Sequence, residues 1–279
     1  MRLIRYGAPG QETPGLWQDG KVIDLRAIFP EIPDIGETFF REGWLQRIAG
    51  INQTGRRMDV RIGCPISRPS KIICLGVNYL EHKKEGGFKK PQKPVLFSKT
   101  PNALTGPFDP IILPQSSSQI DWEVELAVII GREGKRIPAE DALSYVAGFA
   151  VMNDVSGRDV QFSDPQWFRG KSMDTFAPLG PALVTVDEIE NFRDLKLTAR
   201  VNEQIMQSGS TANMIFDIPF IMAFISEDIT LVPGDVISTG TPAGVGFFRE
   251  PPVLLKAGDT VECGVENIGL IRNTVKTDS

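Results

Sequence analysis

The stretch Asp121-Trp122-Glu123-Val124-Glu125-Leu126-Ala127-Val128-Ile129-Ile130 reads as a β-strand with carboxylates on one face and apolar side chains on the other. Alternation along a strand sends Asp121, Glu123 and Glu125 one way and Trp122, Val124, Leu126 and Val128 the other. Same-face neighbours are only about 6.6 Å apart at ordinary strand rise. Three acids that close repel one another unless water or a cation screens them. Strands are also poor in Asp and Glu. Two readings stand side by side: a solvated strand face, or a divalent cation held by oxygen ligands, for which Glu-x-Glu spacing suits two ligands on one metal.

Working outward, strands are expected at 71–77, 111–113, 146–152, 195–201, 235–239 and 260–265, and the 146–152 strand delivers Asn153-Asp154 at its end. A short helix is expected at 138–143, with Pro138 in its first turn. An apolar helix is expected at 215–225. Towards the N-terminus, Leu16-Trp17-Gln18 and Lys21-Val22-Ile23 flank Asp19-Gly20, a hairpin signal. Phe39, Phe40, Trp44, Leu45 and Ile48 recur at helical spacing, predicting a helix over 37–49 with Gly43 its weak point. Pro65 to Pro69 reads as a linker. The reading is a β-rich α+β protein, with a small unit over 1–65 and a main domain over 70–279. Residues 81–93, with Gly86-Gly87 and five lysines, read as a polar loop or lid.

Composition narrows the function classes. A chain of 279 residues with 41% hydrophobic and 23% charged residues has enough apolar material for a sizeable core. A net charge of −5 argues against nucleic acid or an anionic membrane as the main partner. Cys64, Cys74 and Cys263 form no CxxC pair and no even framework, so a reduced, cytoplasmic setting is expected. No apolar run approaches the roughly 20 residues of a membrane span.

His82 is the only histidine, which excludes HExxH sites, His-rich zinc sites and two-histidine mechanisms. On one helical turn it shares a face with Glu85, three residues on, which makes a base dyad for activating water; the plain alternative is an exposed histidine on a lysine-rich loop. Lys171, within Arg169-Gly170-Lys171-Ser172, sits among small residues and reads either as an enolate partner or as a surface lysine. The run Gly240-Thr241-Pro242-Ala243-Gly244-Val245-Gly246 does not match a dinucleotide fingerprint and reads as a turn bringing backbone near a ligand.

Five stretches together resemble the fumarylacetoacetate hydrolase family: Gly76 to Glu85, Asp121 to Leu126, Asn153 to Gln161, Gly170 to Phe176 and Thr239 to Gly246. The resemblance covers essentially the whole chain. It implies a mixed β-roll catalytic domain, a small N-terminal domain and a homodimer. It implies that Glu123, Glu125 and Asp154 bind Mg²⁺ or Mn²⁺, and that His82, Glu85 and Lys171 are catalytic. It also implies that Arg158, Gln161, Lys99 and Thr241 contact a 2-oxo acid substrate. The implied reaction is metal-dependent C–C hydrolysis of an acylpyruvate or 2,4-diketo acid, giving a 2-oxo acid and a carboxylic acid. Relatives that decarboxylate oxaloacetate, isomerise ring-cleavage products or hydrate dienoates share the ligands and stay as alternatives, as does a metal-stabilised binding protein without turnover. The opening Arg5-Tyr6-Gly7, Pro14-Gly15-Leu16 and Val22 to Leu25 looks like bacterial members acting on 2,4-diketo-3-deoxy sugar acids such as the L-fuconate derivative. Gly157 and the loop 162–168 depart from that pattern near the expected pocket.

Overall fold

Alternation along Val124–Ile130 does place successive side chains on opposite faces, and both faces are buried. Val124, Leu126, Val128 and Ile130 join one hydrophobic core; Ala127 and Ile129 join another. The computed structural model describes residues 1–18, 20–51 and 53–278. Among them, Val124–Ile130 is a central strand of an eleven-stranded sheet, antiparallel to Val146–Asn153 on one side and to Val236–Ser238 on the other. Beyond Val236–Ser238 the sheet continues through Ile72–Gly76 to Val95–Lys99; beyond Val146–Asn153 it continues through Ala177–Thr185 to Arg2–Tyr6. A five-stranded sheet built from Ile111–Leu113, Lys196–Val201, Gln204–Ser210, Thr260–Val265 and Gly269–Thr277 shares the first core with the central strand.

The strand expected over 121–130 is two pieces. Ile120–Asp121 pairs with Ser156–Gly157, whereas Val124–Ile130 pairs with Val146–Asn153. The break at Trp122-Glu123 lets the chain change partners. Asp121, Glu123 and Glu125 are all buried all the same.

The N-terminal hairpin forms as read, with Gln18 opposite Lys21; Asp19 of its expected turn lies outside the described residues. The helix expected over 37–49 is two short helices, Glu37–Arg41 and Trp44–Ile48. Gly43 divides them with φ +71°, a left-handed conformation that glycine adopts without strain. Phe39, Phe40, Trp44 and Ile48 are still buried, packed with Ala127, Ile129 and Met152 of the sheet. The segment 1–65 thus adds four strands to the edge region of the sheet, the short Ile62–Gly63 among them, and covers the face that carries the acids.

Ile218–Ser226 is the apolar helix, capped by Asp217, whose carboxylate accepts the Phe220 N–H. Residues Ala139–Tyr145 form a 3-10 rather than an α-helix. The segment 81–93 does not begin as a loop: Leu80–Glu85 is a helix, which puts His82 and Glu85 on one turn.

Candidate active site

Four buried carboxylates meet three buried cations where the central strand, the end of Val146–Asn153 and the helices Arg158–Ser163 and Phe168–Lys171 converge. Oxygen atoms of Glu123, Glu125 and Asp154 lie within 4.8 Å of one another. The Lys171 ammonium bridges two of these groups, at 2.8 Å from Glu123 and 2.9 Å from Asp154. Arg158 donates from Nε to Asp121 at 2.7 Å and from Nη2 to Glu123 at 2.6 Å. Its Nη1 donates to Gln161 at 3.1 Å. Lys99 donates to Asp154 at 2.5 Å and to the Val155 carbonyl at 3.0 Å.

The charges decide the protonation states. Burial works to raise Glu123, but Lys171 and Arg158 overcome it and hold the carboxyl well below the usual range. Burial would lower Lys171, yet Asp154 and Glu123 hold it above the ordinary lysine value, fully protonated. Burial lowers Lys99 despite Asp154 beside it. Burial raises Asp121 against the pull of Arg158.

Glu125 is different. Its hydrogen-bond donors are neutral, the Ser238 hydroxyl and the Gly240 N–H, and burial together with Asp154 and Glu123 pushes its carboxyl well above the usual range. A buried carboxylate with two acids beside it and no cation of its own is what a divalent ion would neutralise. The all-oxygen donor set of Glu123, Glu125 and Asp154 suits a hard cation, Mg²⁺ or Mn²⁺.

His82 is buried against the cavity and its Nδ1 faces Glu85 at 3.1 Å. The other oxygen of Glu85 accepts the Gly244 N–H at 2.9 Å. The glycine run therefore holds both halves of the site, Gly240 gripping Glu125 and Gly244 gripping Glu85. Gly244 has φ +107°, and a Cβ there would lie 2.1 Å from the Met206 carbonyl oxygen. This role was hidden in the sequence, where the run pointed to a ligand rather than to the protein's own carboxylates.

A small cavity of about 20 Å³ lies over these groups. His82, Glu123, Glu125, Arg158, Gln161, Lys171 and Thr241 form its polar floor. Thr241 reaches the cavity, but its hydroxyl donates to the Val124 carbonyl and accepts from Gln207, each at 2.8 Å. Lys99, expected at a substrate carboxylate, does not line the cavity: it is buried behind Asp154 and spends its ammonium there. Asp121 holds Arg158 and accepts the Phe247 N–H at 2.8 Å.

The family model described as Fumarylacetoacetate (FAA) hydrolase C-terminal matches residues 71–276. The chain belongs to the fumarylacetoacetate hydrolase family. Within it, the chain is 44% identical over 287 aligned residues to the human mitochondrial oxaloacetate tautomerase FAHD2A, covering 99% of this chain and 91% of that one. Among solved structures, fumarylacetoacetate hydrolase from Exiguobacterium antarcticum superposes with a TM-score of 0.83 at 37% identity, each chain covered completely. Maleylpyruvate hydrolase from Sphingobium sp. SYK-6, in complex with manganese(II) and pyruvate, superposes with a TM-score of 0.80 at 28% identity, again with complete coverage. These family members are named as a tautomerase and as hydrolases. The expected likeness to diketo-sugar-acid hydrolases rested on the N-terminal opening, where Arg5 serves ion pairs with Asp34 and Glu12 rather than the cavity. No helix among the described residues is long and apolar enough to cross a membrane.

Proposed function

We propose that the protein is a Mg²⁺- or Mn²⁺-dependent enzyme of 2-oxo acids that interconverts the keto and enol forms of oxaloacetate. The observation that carries this reading is the full-length 44% identity to a protein named oxaloacetate tautomerase. The electrostatics of the buried cluster support it. Its acids outnumber its cations four to three, and a bound divalent ion would reverse that excess beside the place an anionic substrate must take. That ion, held by Glu123, Glu125 and Asp154, would supply Lewis-acid polarisation of the 2-oxo group.

The remaining chemistry is a proton transfer. The His82 ring nitrogen not facing Glu85 takes the C3 proton, and Glu85 stabilises the imidazolium. The C3–H electron pair becomes the C2–C3 double bond as the carbonyl π pair moves onto the 2-oxo oxygen, where the fixed ammonium of Lys171 offsets the charge. Return of the proton to that oxygen gives the enol, with no atom gained or lost. Arg158 and Gln161 hold the carboxylate end from the floor.

The second reading is hydrolysis of an acylpyruvate or diketo acid, which the His82–Glu85 pair also favours, because the same base can deprotonate water. Oxaloacetate decarboxylation and dienoate isomerisation use the same enolate chemistry. One panel separates them. Oxaloacetate is followed by enol absorbance, and acetylpyruvate and fumarylpyruvate by mass, with Mn²⁺, using Glu123→Gln plus Mn²⁺ as the control for catalysis by the free ion. Faster keto–enol equilibration without pyruvate supports the tautomerase. Pyruvate with CO₂ from oxaloacetate, or pyruvate with acetate from acetylpyruvate while oxaloacetate is untouched, replaces it.

A further inference from the structure

Beside the charged floor the cavity is lined by aromatic rings from separate parts of the chain, and each packs against another ring or a charged group. Trp167, from the loop that the sequence marks as the protein's own, packs edge-on to Phe97 at 5.5 Å between centroids. It also lies so close to Ile72–Gly76 that a Cβ on Gly76 would sit 2.6 Å from the indole. Phe97 in turn faces the Lys171 ammonium at 5.1 Å. On the opposite side Phe88 and Phe248 pack edge to face at 5.7 Å, and their centroids lie 6.2 and 6.0 Å from that of His82. The Arg158 guanidinium stands 5.9 Å over the Phe248 ring. Each wall is thus pinned to a charged or basic group of the floor. A substrate seated on that floor meets a ring before it can extend, because Phe88, Phe97, Trp167 and Phe248 line the same small cavity as His82, Arg158 and Lys171.

We infer that Phe88, Trp167 and Phe248 set the length of the substrate, restricting the site to 2-oxo acids of about four carbons. The inference rests on the 2-oxo-acid reading above and adds to it a size limit that the floor residues do not impose. Longer acylpyruvates would have to displace Phe88 or Phe248 from ring contacts that also border His82. Each methylene wrongly accommodated in an apolar pocket changes affinity by roughly tenfold or more.

Binding tests this without requiring turnover. Straight-chain 2-oxo acids of three, four, five and six carbons are titrated calorimetrically into the full-length protein loaded with Mn²⁺, as wild type, Phe88→Ala and Phe248→Ala. Retention of the Mn²⁺-dependent rise in Tm shows that each variant is folded, and Phe88→Leu and Phe248→Leu stand in for any alanine variant that is not. The expected result is an affinity that falls by about a hundredfold or more between the four- and six-carbon acids in wild type. In the variants the six-carbon acid should recover to within a few-fold of the four-carbon one. Equal binding of all lengths by wild type, or folded variants with an unchanged length profile, overturns the inference and leaves the 2-oxo-acid reading intact. Failure of every acid to bind Mn²⁺-loaded wild type overturns that reading too.

Discussion

At the scale of single residues, Glu125 and Gly244 carry the sharpest consequences. Glu125 is buried beside Glu123 and Asp154 with only neutral donors, so the protein holds it at a cost that a divalent ion removes. Mn²⁺ should therefore stabilise the fold, adding about 2.7 kcal/mol at a hundredfold excess over its Kd. In Glu125→Gln the metal-free protein should melt no lower than wild type, while the Mn²⁺ shift disappears; a lower metal-free Tm together with a retained shift would remove Glu125 from the metal site. Gly244 presents its N–H to Glu85 only because it adopts φ +107° with no side chain to strike Met206. Gly244→Ala should cost about 2 kcal/mol in chemical denaturation and lower kcat through a misplaced His82. Wild-type kcat in that variant would show that the Glu85 anchor is dispensable.

At the scale of elements, the readable ones announced themselves by periodicity. The 124–130 strand, the 146–153 strand and the apolar helix stand where their patterns put them. Ala177–Thr185 escaped the reading although it is central to the sheet and fully buried, because Pro178, Gly180 and Pro181 break the signature that a strand needs. The break at Trp122-Glu123 escaped it too, since alternation is blind to a change of pairing partner. Of the site, the acids, His82, Glu85 and Lys171 were legible as motifs, whereas the inward turn of Lys99 towards Asp154 depends on strand packing that no local pattern encodes. The segment 81–93 carries a prediction of its own. Its five lysines are close in sequence to His82 and Phe88, which line the cavity, and among the described residues the ion-paired lysines are Lys71, Lys99 and Lys171, none of them from this segment. Unpaired positive charge beside a cavity attracts a dianion, and salt screens it over about 8 Å at physiological ionic strength. For oxaloacetate, kcat/KM should fall severalfold as salt rises from low to physiological levels. The triple variant K84E/K89E/K90E should start about tenfold lower and lose the slope. A salt-independent wild type would assign these lysines to solubility alone.

At the scale of the whole molecule, the N-terminal segment is joined to the catalytic body by a relay of charges as well as by shared core. Arg5 holds both oxygens of Asp34, at 2.6 and 2.7 Å, and reaches Glu12 at 3.2 Å. Glu12 meets Arg61 at 2.9 Å, and Arg61 closes on Asp109 of the body at 2.8 and 2.5 Å. Burial works to raise Asp34, but the Arg5 hydrogen bonds and charge win and lower its carboxyl below the ordinary aspartate value. A carboxyl whose folded value is depressed contributes stability that is fully present above its unfolded value, near 3.9, and is lost as pH falls through the folded value. The acid limb of unfolding should therefore steepen below about pH 4. Because the Asp34 side chain is 34% exposed, solvent screening holds the pair to about 1 kcal/mol. Asp34→Asn should lower Tm at neutral pH by the equivalent of that amount and flatten the decline below about pH 4, since the variant has no proton to gain there. The measurement is Tm against pH for both proteins. Parallel curves would mean that the Arg5–Asp34 pair contributes nothing to the acid limb of unfolding.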